Sequence, residues 1–333
     1  MREATYARLT RFALWSLTVI VVSGSAVRLT GSGLGCEDWP TCETGSLIAP
    51  LEFHAQVEFL NRLFTGVVAA AVIGAVLGSL RRKPREMALL WWSLGLVAGV
   101  VAQVLLGALL VWTHLDPRFV MGHFLLSMVL LWNAVVLDIK ARRDVLSVGG
   151  AADVVVEGGA ADVVVEDGAA DVVVNSGAIN TATRWMIRAV FVVAMGVIVT
   201  GTLVTGSGPH AGDDIAERLP LLVREVTRIH SIVAIGLLAL VAATWIRVRR
   251  RLSERGDTMR FGLDMLKAGG IEGRLAGVAV LLIAQGTLGY TQYFTGVPVV
   301  LVGIHVLLAS ILWIQIVRLS CAPVEVSLPN NSN

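Results

Sequence analysis

The chain has 333 residues, of which 55% are hydrophobic and only 16% charged, against about 25% charge in soluble domains. That balance, with a mean hydropathy of +0.74, excludes an ordinary soluble globule and points to a multi-pass membrane protein. The net charge of +2 is not gathered on one soluble face and gives no ground for a nucleic-acid partner.

A helix needs roughly 20 apolar residues to cross the hydrocarbon layer. Eight stretches meet that need: 12–30, 54–80, 88–112, 119–139, 185–205, 222–246, 273–293 and 298–318. The expected fold is therefore all-α, with eight transmembrane helices. With the N-terminus inside, only Arg28, Arg62, Arg118, Arg218, Arg224 and Arg228 of the 27 basic residues fall toward the outside. Basic loops stay cytoplasmic, so both termini are expected in the cytoplasm of a cell whose plasma membrane holds the chain. The first span is long for a signal peptide and has no A-x-A site after it, so it is expected to remain as a helix.

The first span runs into "GSGLGCEDWPTC". Cys36 and Cys42 have five residues between them, a spacing of neither a redox C-x-x-C pair nor a haem-attachment motif. Outside the cytoplasm they can form a disulfide, and Pro40 favours a turn between them; two unpaired thiols are the alternative. The second span opens "EFHAQVEFLNRLFTG". His54 and Glu58 are four apart and share a helix face, with Asn61 and Arg62 a turn further on. A carboxylate there is costly unless it is used or paired. A purely structural Glu58–Arg62 pair is the plain reading.

The third and fourth spans contain "QVLLG" at 103–107 and "GHFLLSMVLLW" at 122–132. Both return in the second half, as "QGTLG" at 285–289 and "GIHVLLASILW" beginning at Gly303. Earlier, "TGSG" at 30–33 returns at 205–208. In each half a histidine follows the last glycine of the first motif at the same spacing, giving His123 after Gly107 and His305 after Gly289. The expected organisation is an N-terminal four-helix half, 1–140, and a C-terminal half, 185–320, as parallel repeats. A cytoplasmic loop, 141–184, lies between them and a cytoplasmic tail, 321–333, follows. The loop holds three nine-residue copies, "GGAADVVVE GGAADVVVE DGAADVVVN", read as a tolerated insertion.

All six histidines fall in the outer half of the membrane or in outer loops. His54 and His230 lie on the second helix of each half, His123 and His305 on the fourth. Neutral imidazole is a good iron ligand, and two facing imidazoles suit a six-coordinate haem; a histidine that merely hydrogen-bonds a neighbouring helix is the plain alternative. His114 and His210, in outer loops, are read as surface residues, and Cys321 as chemically idle. No helix carries two buried histidines, which argues for two haem pockets at one depth rather than a wire across the bilayer.

These stretches, "RLTGSGLGCEDWPTC", "HAQVEFLNR", "THLDPRFVMGHFLLSM" and "GIHVLLASILW", resemble the haem A synthase family of membrane haem hydroxylases. The resemblance covers all eight spans. It implies an oxidoreductase that converts a ring methyl of haem O to a formyl group, supplying haem A to terminal oxidases. It implies haem b as cofactor on His230 and His305, substrate haem at His123, Glu58 as the acidic residue important to the reaction, and Cys36–Cys42 as a loop cysteine pair. Electrons would reach haem b and pass to the substrate iron, two hydroxylations would follow, and loss of water would leave the aldehyde. Implied partners are haem O, an electron donor, the lipid bilayer, and haem O synthase with terminal oxidase assembly factors. One departure stands out: many family members have histidine where this chain has Asn61, which leaves His54 as the substitute ligand or the substrate iron five-coordinate. A non-enzymatic b-type cytochrome or haem carrier is the rival reading.

Overall fold

The computed structural model describes the chain except residues 37, 44, 45, 47, 150–179, 255–269 and 322–333, with backbone alone for 143–149. Among the described residues there are eight helices and no strand: α1 (Glu3–Leu29), α2 (Phe53–Arg81), α3 (Met87–Trp112), α4 (Pro117–Gly149), α5 (Thr181–Ser207), α6 (Val223–Glu254), α7 (Ile271–Phe294) and α8 (Val299–Ser320). Each is long and apolar enough to cross a membrane. In hydrocarbon a helix meets its backbone hydrogen bonds within itself, which is why such runs adopt this form. Large apolar side chains such as Leu63, Ile73, Leu105, Val192, Ile235 and Val300 are exposed on the helix surfaces, as suits a lipid environment rather than water.

Helix ends follow local chemistry. Pro117 opens α4, where its missing N–H costs nothing. The Asp116 carboxylate accepts the Arg118 backbone N–H at 2.9 Å, and the Arg118 guanidinium beside it holds that carboxyl below its usual range. The Asn180 side chain caps α5 by accepting the Thr183 N–H at 3.0 Å. One boundary differs from expectation. The loop read as 141–184 is helical at both ends, because α4 runs on to Gly149 and α5 starts at Thr181. Charged residues such as Arg142 and Arg184 lowered the apolar signal there without stopping the helices; Arg142 pairs with Asp138 one turn back, at 3.0 Å. The three nine-residue copies fall almost wholly outside the described residues.

Helices α1 to α4 pack in a ring, α1 on α2, α2 on α3, α3 on α4 and α4 on α1; α5 to α8 do the same. The rings meet where α1 and α4 touch α8, and α4 touches α5. At that seam the buried Trp313 indole donates to the Met128 carbonyl at 2.8 Å, and its ring lies 5.1 Å from that of Phe191. Buried positions recur between the rings. Leu89, Ser93, Leu96 and Val100 of α3 are buried, as are Ile271, Leu275, Val278 and Leu282 of α7, their counterparts at the offset that carries His123 onto His305. The turns after α3 and α7 match as well: His114 and Leu115 have positive φ, and so do Gly296 and Val297 at the same offset.

At the end of the bundle that carries the α1–α2 loop, the rings clasp each other. The Gly33 N–H donates to the Gly212 carbonyl at 2.9 Å, and the Arg28 guanidinium donates to the Thr205 carbonyl at 2.8 Å. Thr205 lies in the last turn of α5, where a cation also meets the negative end of the helix dipole.

Candidate haem-handling site

The α1–α2 loop is anchored from below by α2. Cys36 and Cys42 are joined in a disulfide and are almost wholly buried. Glu58, 7% exposed, accepts the Cys36 backbone N–H at 2.9 Å and two Arg62 donors at 3.1 and 2.6 Å. Arg62 in turn donates to the carbonyls of Asp38 and Thr41 at 2.8 and 2.9 Å. One carboxylate and one guanidinium thus tie both arms of the disulfide loop to the helix. Gly35 allows the close approach, since a methyl there would fall on the His54 carbonyl. His54 itself is exposed, and its Nδ1 is paired with the Ser32 hydroxyl at 2.9 Å.

The other three candidate ligands are deeper, each against a glycine of the preceding helix. A methyl on Gly107 would meet the His123 ring at 3.9 Å, on Gly289 the His305 ring at 3.4 Å, and on Gly201 the His230 ring at 3.2 Å. The backbone beside His123 is held by the Gln103 amide, which donates to its carbonyl at 3.0 Å. The Gln285 amide does the same to the His305 carbonyl, also at 3.0 Å. The repeated glutamine therefore fixes the helix turn that carries each histidine.

The ring nitrogens behave differently. His230 Nδ1 pairs with the Thr200 hydroxyl at 3.1 Å. The Nδ1 atoms of His123 and His305 are buried with no hydrogen-bond partner. A buried imidazole nitrogen left unpaired is costly, and a neutral imidazole in that condition is a ready metal ligand. Among the described residues no cluster of three or more His, Cys, Asp or Glu side chains could hold a bare metal ion. Single histidines on facing apolar helices fit a porphyrin-held iron, which brings four of its own ligands.

Asn61 sits at the α1–α2 contact, where its side-chain oxygen accepts the Ser23 hydroxyl at 2.8 Å. The outer-loop histidines stand apart from these groups: His114 is exposed, and His210 Nε2 pairs with the Val297 carbonyl at 2.8 Å. Sequence reading missed Ser23, Thr200 and Gly201. The signal for them was the dipeptide Ser23-Gly24, which returns as Thr200-Gly201.

Eight apolar helices, two histidines whose Nδ1 atoms are buried without partners and a disulfide-closed loop define the class among the described residues: an all-helical, multi-pass membrane protein. Residues 7–56 match the family described as "Cytochrome oxidase assembly protein". The chain is 30% identical over 141 residues to "Heme A synthase" of Geobacillus kaustophilus, covering 40% of this chain and 44% of that protein. It is 36% identical over 146 residues to "Heme A synthase" of Lysinibacillus sphaericus, covering 40% of this chain and 45% of that protein. A shorter stretch of 90 residues is 31% identical to "Protoheme IX farnesyltransferase" of Thermus thermophilus, covering 26% of this chain and 15% of that protein. Over part of its length the chain is thus similar to proteins described as haem A synthases. It spans less than half the length of the curated haem A synthases it matches.

Proposed function

We propose that the chain is a haem A synthase, an oxidoreductase that takes haem O and oxidises one ring methyl to a formyl group. The observation that carries the reading is the pair His123 and His305, each with a buried Nδ1 that has no partner and each held by a glutamine at the same offset. Similarity to "Heme A synthase" chains supplies the chemistry. The two rings are read as copies of one four-helix unit, spanning 1–140 and 185–320. The second holds haem b between His230 and His305, and the first receives the substrate haem at His123; the other candidate the sequence offers on that side, His54, is exposed and bonded to Ser32. The basic loops support a reading with both termini in the cytoplasm and the disulfide loop on the opposite face, in a plasma membrane. Haem O synthase, terminal oxidase assembly factors and an electron donor are the proposed partners; the similarity to a farnesyltransferase supports a neighbouring step in haem modification.

Bound haem b would supply one-electron transfer to the substrate site. The residues of this chain do the rest. Thr200 holds His230 Nδ1 so that Nε2 is left for iron. Gln103 and Gln285 fix the turns that carry His123 and His305. Glu58 is the acidic group proposed to act in the reaction. Its bonds to Arg62 and Cys36 support a role in holding the disulfide loop over the substrate face, where it positions the methyl and excludes water.

The test is direct. Purified chain loaded with haem O, given a chemical reductant and dioxygen, should yield the alcohol intermediate and then haem A on chromatography. Recovery of haem O unchanged, with haem b bound normally, would overturn the reading in favour of a carrier.

A further inference from the structure

Asn61 occupies in the first ring the place that His230 occupies in the second. On α2 the buried residues Val68, Val72, Ala75 and Ser79 recur, at one constant shift, as the buried Leu237, Val241, Thr244 and Val248 of α6. The same shift carries Asn61 onto His230. On α1 the buried Tyr6, Thr10, Ala13 and Leu17 recur, at a slightly larger constant shift, as the buried Thr183, Ile187, Val190 and Ala194 of α5. That shift carries Ser23-Gly24 onto Thr200-Gly201. The two registers are independent, and they agree on one bond: Ser23 to Asn61 at 2.8 Å, and Thr200 to His230 at 3.1 Å.

What fills the place differs. In the second ring the imidazole lies across the glycine, 3.2 Å from where a methyl on Gly201 would stand; a methyl on Gly24 would meet nothing within 4 Å. Gly24 is not at the surface, being half-buried like Gly201. The shorter asparagine leaves open space where the other ring has a ligand. His54 does not fill it. That residue is exposed and bonded to Ser32, and lies seven residues, or about 10 Å by helical rise, nearer the start of α2.

We infer that the first ring is an open-faced haem site: His123 is its one imidazole at the iron, and the Ser23–Gly24–Asn61 side receives a small diatomic molecule such as dioxygen or carbon monoxide. The second ring, with His230 and His305, is closed on both faces. Amide is a poor iron ligand, so Asn61 leaves the position free. Its oxygen is occupied by the Ser23 hydroxyl, which leaves its N–H groups as the polar donors of that face. Donors and steric access beside the iron decide whether a haem binds diatomics or only passes electrons. The inference rests on the haem-handling function proposed above and locates the oxygen-binding place within it.

The test uses the full chain in detergent, loaded with haem b to two per chain, reduced and exposed to carbon monoxide. About half of the bound haem should form a carbon monoxide adduct, and the rest should stay low-spin. Asn61→His should abolish most of the adduct, and His54→Ala should leave its fraction unchanged. Two haems per chain with no adduct in the wild type would overturn the inference alone. So would an adduct undiminished by Asn61→His, or one that appears only in His54→Ala. The wild-type spectrum needs no variant, so a misfolded Asn61→His leaves it and His54→Ala to decide. A chain that takes up no haem in either ring would sink the proposed function and this inference together.

Discussion

Glu58→Ala perturbs the loop before it perturbs any chemistry. The carboxylate accepts one backbone N–H and two guanidinium donors in a buried setting. Its removal strands Arg62, whose side chain is 20% exposed, beside two carbonyls that alone do not balance its charge. Breaking one partner of a buried pair costs about 3–5 kcal/mol, and the partial exposure of Arg62 puts this case near the lower end of that range. Local opening of the loop should therefore become roughly 100-fold more frequent. Both sulfurs are shielded, with Cys36 1% and Cys42 2% exposed, so a bulky water-soluble phosphine reduces them only when the loop opens. The assay is the rate of disulfide reduction, followed by alkylation and mass analysis. Glu58→Ala should accelerate it by about 100-fold, and Glu58→Gln, which keeps the shape but not the charge, by about 10-fold. Arg62→Met should resemble Glu58→Ala, and the double variant should add little to either. A reduction rate for Glu58→Ala within threefold of wild type would refute the anchoring argument.

His305→Ala should lose most of the low-spin b-type absorption, and retention of a wild-type spectrum would remove His305 from the ligand set. Gly201→Ala places a methyl 3.2 Å from the His230 ring and should lower haem occupancy of the second ring several-fold, while Gly24→Ala, with nothing in reach, should leave occupancy of the first unchanged; equal effects on haem content would contradict the asymmetry. Deleting residues 149–175 should leave haem content and turnover near normal, as measured on purified protein, and loss of assembled protein would show that the segment does more than join two rings.

The eight spans were legible because hydrocarbon leaves the backbone no alternative to helix, and composition alone carries that constraint. Their ends were less so, since Arg142 and Arg184 continue helices past the apolar signal. The likeness of α3–α4 to α7–α8 is plain at a single offset because the turns after α3 and α7 have the same length and positive φ at matching positions. The α1–α2 and α5–α6 pairs hid theirs. The stretch from Gly24 to Thr30 is longer than the one from Gly201 to Thr205, and the loops that follow differ in length, so each helix pair carries its own shift. Without those shifts His54 and His230 look alike, as histidines on a second helix, and Asn61 looks only like a missing ligand. Burial, which a sequence does not print, exposes the register. Glu58 shows the converse: its pairing with Arg62 was readable from a four-residue spacing, but its hold on Cys36 depends on a loop returning to the helix across 22 residues.

The central claim is a division of labour, with substrate haem in the first ring and cofactor haem in the second. The most direct measurement is the haem content of wild type, His123→Ala and His305→Ala, each purified from cells that also make haem O and resolved by chromatography. Wild type should carry haem b together with haem O or haem A; His123→Ala should keep haem b and lose the other two, and His305→Ala should lose haem b. Retention of haem O or haem A by His123→Ala at the wild-type ratio to haem b would contradict the account.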